Sequence, residues 1–310
     1  MTDVVVSDPR GHRFRLAPIA CPICKTRDFR SLGMRGGRYQ RHGLGIPLEI
    51  VQCRQCALLW PDPFPYPLDP SGLYGDPSKY FVHEDEAAKL KACRDVVIRP
   101  ALRHLGKPRP SLLDVGSGRA ELLRAAVAEG LDDVTGLELA QATIEDARER
   151  LGIRLIGKTI EEFAVDATRT FDLVTFSAVL EHVHDPDAAI AAARRLTHSG
   201  SMLYLDVPHE PNLLTTLVGI ANRVRRSRGV INLAPTFEPF HVFGFNERAL
   251  KKLLGKHGFE IVSIWIYSEM DLPIVKSLRG GALKLGVRAF AHVANRTGTA
   301  ANMYVWARRT

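Results

Sequence analysis

From residue 111 the chain alternates short β-rich runs with helical patterns: SLLDV, RAELLRAAVAEG, DVTGLEL, ATIEDARERL, IRLI, FDLVTFS, DAAIAAARRL and SMLYLDV. Parallel strands cannot be joined by tight turns, so this alternation predicts a mostly parallel sheet with helices on both faces. Such sheets hold ligands at the carboxyl ends of their strands. Functional residues are therefore expected where the runs end.

The first run and its exit, LLDVGSGRAELL at 112–123, place Asp114 just before Gly116 and Gly118 and lead into a helical pattern. A dinucleotide fingerprint begun at Gly116 needs glycine at position 121, where Glu121 stands, and no Gly-Lys-Ser/Thr phosphate loop follows. A carboxylate at this strand end repels a pyrophosphate but attracts a cation. S-adenosylmethionine carries two cationic groups, a sulfonium and an ammonium. Glu138, ending the second strand, is placed to accept both hydroxyls of a ribose. Gly116 and Gly118 let the backbone approach the ligand closely.

Cys21-Pro-Ile-Cys24 and Cys53-Arg-Gln-Cys56 are two Cys-x-x-Cys pairs. Two intervening residues let both thiolates of a pair reach one ion, and two pairs complete a four-sulfur tetrahedral shell. Structural zinc is expected, with no coordination position open for chemistry. The alternative, two disulfides, is disfavoured in a reducing compartment. Cys93 lies in a helical pattern and reads as a buried apolar residue. The proline-rich PDPFPYPLDPSGLYGDP that follows the second pair reads as an extended linker.

Together these residues resemble class I S-adenosylmethionine-dependent methyltransferases. The first motif reads Asp114-Val-Gly116-Ser-Gly118-Arg-Ala120, with alanine in the third glycine position. FDLVTFSAVLEHVHDP (171–186) and FHVFGFNERALKKLLGKHGFEIV (240–262) are similar to the family's later segments. The cysteine pairs, the proline-rich stretch and LYGDPSKYF resemble the bacterial members that carry an N-terminal zinc-binding domain and methylate sugars or natural products. The resemblance implies an α/β fold: a Rossmann-like seven-stranded class I methyltransferase sheet with a small N-terminal zinc ribbon. It divides the chain into a ribbon (1–62), a Pro-rich linker and helical lead-in (63–110), and a methyltransferase domain (111–310) with inserts at 208–245 and 269–300. ANMYVWARR reads as the last, antiparallel edge strand.

The implied reaction is methyl transfer to a small acceptor: a sugar, nucleotide-sugar, glycan or natural-product hydroxyl or carbon acid. It needs alignment of a nucleophile and a base near neutral pH. Histidine suits that task, and His182, His209 and His241 fall at strand exits four and five or in the insert after them. Glu181 reads as fixing backbone or cofactor geometry. As a metal site, HVHD at 182–185 crowds three ligands into four residues, which makes a poor shell. The family places a polar residue beside adenine at the third-strand exit, where Lys158 and Thr159 stand, and Ser177 ends the fourth strand beside the cofactor.

The net charge of +8 is unevenly placed. Residues 211–310 hold 15 Lys+Arg against 5 Asp+Glu, or +10, leaving −2 for the first 210. Part of that excess, RVRRSR at 223–228, follows the apolar LLTTLVGIAN, a pattern that suits a phosphate-bearing or lipid-linked acceptor, peripheral contact with a membrane, or a lid helix packed on the core. The apolar stretch Pro211–Asn222 falls well short of the ~20 residues of a membrane span. The opening MTDVVVSDPRGHRF has no signal-like apolar run, so the location reads as cytoplasmic. An RNA methyltransferase and a non-catalytic partner-binding module are the competing readings. No basic-aromatic interleaving supports a nucleic-acid partner, and the intact Asp114, Gly116, Gly118 and Glu138 argue against the module.

Overall fold

The computed structural model describes residues 4–73, 86–268 and 281–310. Its main sheet has six strands: β7 (Leu112–Val115), β8 (Val134–Leu137), β9 (Phe171–Ser177), β10 (Thr197–Pro208), β11 (Phe259–Tyr267) and β12 (Asn302–Arg309). They lie in the order β11-β12-β10-β9-β7-β8. The β8-β7-β9-β10 pairs are parallel, and β12 runs antiparallel between β10 and β11. The strand expected at the edge is therefore interior, and β11 forms the edge. The seventh position, expected from IRLI, is reduced among the described residues to a single parallel bridge between Leu137 and Ile156.

Alternate residues of each strand point to opposite faces, and the core divides accordingly. Leu113, Val115, Val174, Phe176, Leu203 and Leu205 pack on one face with the helices Pro186–Arg195 and Glu247–Lys256. Leu112, Leu173, Met202, Tyr204 and Trp306 pack on the other with Val97, Ile98, Leu122 and Ala126. Side-chain caps start the helices where their sequences demand. Asp185 accepts from the amides of Asp187 and Ala188 ahead of Pro186, and Asn246 Oδ1 accepts from the Ala249 amide.

The N-terminal part holds two three-stranded sheets, β1-β2-β6 and β3-β4-β5. The first contains β1 (Val4–Ser7), β2 (Arg13–Ala17) and β6 (Phe64–Pro67). The second contains β3 (Phe29–Arg35), β4 (Leu48–Cys53) and β5 (Leu59–Asp62). Part of the proline-rich segment thus forms β6, an edge strand where missing amide donors are tolerated. Val51, Trp60 and Phe64 share one core with Phe243, Phe245 and the main sheet.

The segment 208–245 ties the two parts together. It carries the helix Leu213–Val224, and Leu59 and Gly244 exchange backbone hydrogen bonds of 3.0 Å each. At Gly33 (φ 144°) a Cβ would meet the Arg228 carbonyl oxygen at 2.4 Å, so only glycine permits that approach. The other expected insert is described only from residue 281, as the helix Gly281–Thr297. Its first part, 269–280, and most of LYGDPSKYF lie outside the described residues. No helix among the described residues is long and apolar enough to cross a membrane.

Candidate active site

The sheet reverses its winding between β7 and β9, so the crevice of the switch point opens at their carboxyl ends. Asp114, the penultimate residue of β7, lies opposite Thr175 in register, and its Oδ1 accepts from the Thr175 hydroxyl at 2.6 Å. Burial raises this carboxyl to about 7. Gly116 (φ 67°) could carry no side chain, since a Cβ would meet Val179 Cγ2 at 2.5 Å. The Gly118 amide donates to Glu138 Oε2 at 2.9 Å, and Glu138 Oε1 accepts from the Leu139 and Ala140 amides at 2.8 Å each. Ala120 holds the left-handed conformation (φ 59°) that its motif position requires, before the helix Glu121–Ala128. The structure thus brings Asp114, Gly116, Gly118 and Glu138 into one loop system.

Thr159 is engaged differently. Its hydroxyl accepts from the Glu162 amide and its own amide donates to the Glu162 carboxylate, a capping box for the helix Ile160–Asp166. Lys158 pairs with Asp166. Ser177 ends β9 in register with Asp206 of β10.

After Ser177 the chain turns through Ala178 (φ 53°) into Glu181 and His182. The Val242 and Phe243 amides both donate to the Glu181 carbonyl, at 2.9 and 3.1 Å, and dock the insert on this turn. That docking sets His241 against His182, with ring centroids 4.9 Å apart. Their Nε2 atoms lie 3.9 and 3.8 Å from Glu181 Oε1. Burial drives the His182 and His241 imidazoles down to about 3 and about 4, and pushes the Glu181 carboxyl up to about 8. His184 stacks on Tyr66 and lines the same small cavity as His182. His209 lies apart. Its Nδ1 meets the Ala300 carbonyl at 2.9 Å, and it lines an open cleft with Asn246, Glu247, Arg248 and Lys251. Glu181 is the member of this cluster that sequence reasoning left outside the candidate set. The available signal was a carboxylate standing among the apolar residues of AVLEHV.

The two cysteine pairs fold into matching knuckles. The amides of Lys25 and Ala57 donate to the carbonyls of Cys21 and Cys53, and both residues adopt positive φ. The four Sγ atoms lie within 4.8 Å of one another, with Cys21 and Cys56 3.6 Å apart and none of them in a disulfide. Zinc–sulfur bonds of ~2.3 Å put tetrahedral sulfurs about 3.8 Å apart, so this set fits a zinc ion. The Cys56 neighbour draws the Cys21 thiol down to about 6, while the same contact pushes Cys56 up.

Comparison with known proteins agrees with this geometry. A family model described as a methyltransferase domain matches residues 84–264. The chain belongs to that methyltransferase-domain family. A ubiquinone biosynthesis O-methyltransferase of Saccharophagus degradans is 36% identical over 98 residues, covering 30% of this chain and 41% of that protein. The Nitrosomonas europaea protein of the same name is 28% identical over 167 residues, 51% of this chain and 61% of its own. The chain spans about two fifths of the length of the first of these relatives. A SAM-dependent methyltransferase structure from Archaeoglobus fulgidus superposes with a TM-score of 0.51 at 17% identity, over 75% of this chain and 97% of the other. The fold is that of S-adenosylmethionine-dependent methyltransferases.

Proposed function

We propose that the chain transfers a methyl group from S-adenosylmethionine to a hydroxyl or carbon acid of a small acceptor of sugar, nucleotide-sugar, glycan or natural-product type. The observation that carries this reading is the loop system at the switch point. Glu138 reaches across to the Gly118 amide, and Asp114 and Glu121 lie buried beside it. Three carboxyls around two glycines make a site that favours a cation and a close backbone approach. When bound, the cofactor supplies an electrophilic methyl group on its sulfonium. Glu138 would bind the ribose hydroxyls, and the Gly116 backbone would meet the cofactor without a side chain between them.

Glu181, His182 and His241 lie past the exit of β9, on the acceptor side in this reading. A neutral imidazole there can take up the acceptor's proton, with the Glu181 carboxyl 3.8–3.9 Å from both rings. His209, with one ring nitrogen engaged by Ala300, ranks behind them. The O-methyltransferase names of the relatives favour oxygen over carbon as acceptor. The helix Leu213–Val224 exposes Leu214, Leu217, Ile220 and Val224 ahead of Arg225, Arg226 and Arg228. An apolar face beside clustered arginines suits a phosphate-bearing, lipid-linked acceptor met at an anionic membrane surface. The cysteine set is assigned to structural zinc.

Calorimetric titration with S-adenosylmethionine tests the core of the proposal. The wild type should bind it, and Asp114→Ala and Glu138→Ala should each lose at least tenfold in affinity while keeping their circular dichroism. Unchanged affinity in both variants would remove the cofactor assignment.

A further inference from the structure

Glu181 is 1% exposed, and neither carboxylate oxygen has a hydrogen-bond partner beyond its own backbone. A buried polar group left without a partner is rare and calls for a physical reason. What surrounds it are two further lone-pair groups. The ligand atoms of Glu181, His182 and His241 all lie within 4.8 Å of one another, with Nε2 to Oε1 separations of 3.8 and 3.9 Å. At those lengths neither histidine hydrogen-bonds the carboxylate. A tetrahedral shell with ~2.0–2.2 Å bonds places its donors about 3.4 Å apart, a few tenths of an ångström less than the two carboxylate–imidazole separations.

From this convergence we infer that Glu181, His182 and His241 form a second metal site, separate from the four cysteines, that takes a first-row divalent transition-metal ion such as zinc. The donor set decides the class. Two imidazoles and one carboxylate suit zinc and its first-row neighbours, whereas magnesium and calcium prefer all-oxygen shells. The supporting groups are also in place. The His182 ring donates to the Phe240 backbone, a bond that fixes the orientation of a metal-binding imidazole.

The three ligands come from two segments that only the fold unites, the turn after β9 and the insert around His241. This removes the objection to HVHD as a local site, since His184 and Asp185 are not required. The inference deepens the reading of this cluster as the acceptor-activating group but is tested by metal content, which does not depend on methyl transfer.

The test is elemental analysis of zinc per chain after dialysis against micromolar zinc, on wild type, Glu181→Gln and His241→Ala. Each variant should hold one zinc fewer than the wild type, because a two-ligand remnant binds more than about tenfold more weakly. Glu181→Gln keeps the shape of the side chain and guards against a folding artefact. Cobalt substitution adds an independent readout. The wild type should show d–d absorption of a nitrogen- and oxygen-bound ion that both variants lack, alongside an unchanged thiolate charge-transfer band. Equal zinc content in all three proteins, or a cobalt spectrum unaltered by both substitutions, would overturn the site.

Discussion

At the scale of single residues, the carboxyls in this protein differ by burial and by partner: buried Asp172 is held down at about 2 by Lys107 and the Ser111 donors. Exposed acids sit in ion pairs such as Lys251–Glu247, while Asp114, Glu181 and Glu210 lie inside with raised pKa values. Glu210 gives the cleanest measurement. It is 8% exposed, accepts from Asn232 Nδ2 at 2.5 Å, and burial raises its pKa from 4.5 to about 7. Folding therefore retains a proton that the unfolded chain has already released. The contribution is fully present below about 4.5 and is lost as the pH rises through about 7. Glu210→Gln removes this titration and keeps an acceptor for Asn232. The variant should gain on the wild type by up to about 3 kcal/mol between pH 4.5 and pH 8. Urea unfolding of both proteins at the two pH values measures the gain. A stability difference independent of pH would show that Glu210 is not buried as described.

At the scale of elements, the same knuckle occurs twice, and each turn closes only because a residue after the second cysteine takes positive φ. Replacing Cys21 and Cys24 by serine should abolish the zinc binding proposed for this set and lower stability by several kcal/mol, since metal binding free energy is folding free energy in such modules. Zinc release with an unchanged melting temperature would reduce the cysteines to a peripheral role. These knuckles were legible because ligand spacing is local, as was the Asp114 loop, where a strand, two glycines and a helix follow in sequence. What escaped depends on distant partners. The interior place of β12 is fixed by its pairing with both β10 and β11, from which intervening chain and a helix separate it in sequence. The strand β6 hides behind prolines that an edge position tolerates. The IRLI run is too short to do more than bridge Leu137. The neighbourhood of His241 and His182 arises from two amides donating to the Glu181 carbonyl, which no spacing rule encodes.

At the scale of the whole molecule, charge and apolar exposure coincide. Residues 211–237 contain no acidic residue, and Arg223, Arg225, Arg226 and Arg228 follow the exposed Leu214, Leu217 and Ile220. The helix Gly281–Thr297, also without acids, exposes Leu285, Phe290 and Val293 beside Arg288 and Arg296. The two helices meet through the Leu213 amide, which donates to the carbonyl of Thr299 just beyond the second helix. An apolar stripe gains by entering the acyl boundary, and nearby arginines gain from anionic headgroups within a Debye length of about 8–10 Å. The protein should therefore sediment with vesicles containing phosphatidylglycerol and stay in solution with purely zwitterionic ones. Raising the salt should weaken the binding, because only the electrostatic part is screened. Leu217→Asp with Ile220→Asp should weaken binding at least tenfold by removing the apolar part, and Arg225→Ala with Arg226→Ala should flatten the salt dependence. All four residues are exposed, so these variants should keep the wild-type melting temperature. Equal sedimentation with both vesicle types, or binding indifferent to the aspartates, would leave the basic excess as a solvated surface and remove the membrane from the proposed acceptor route.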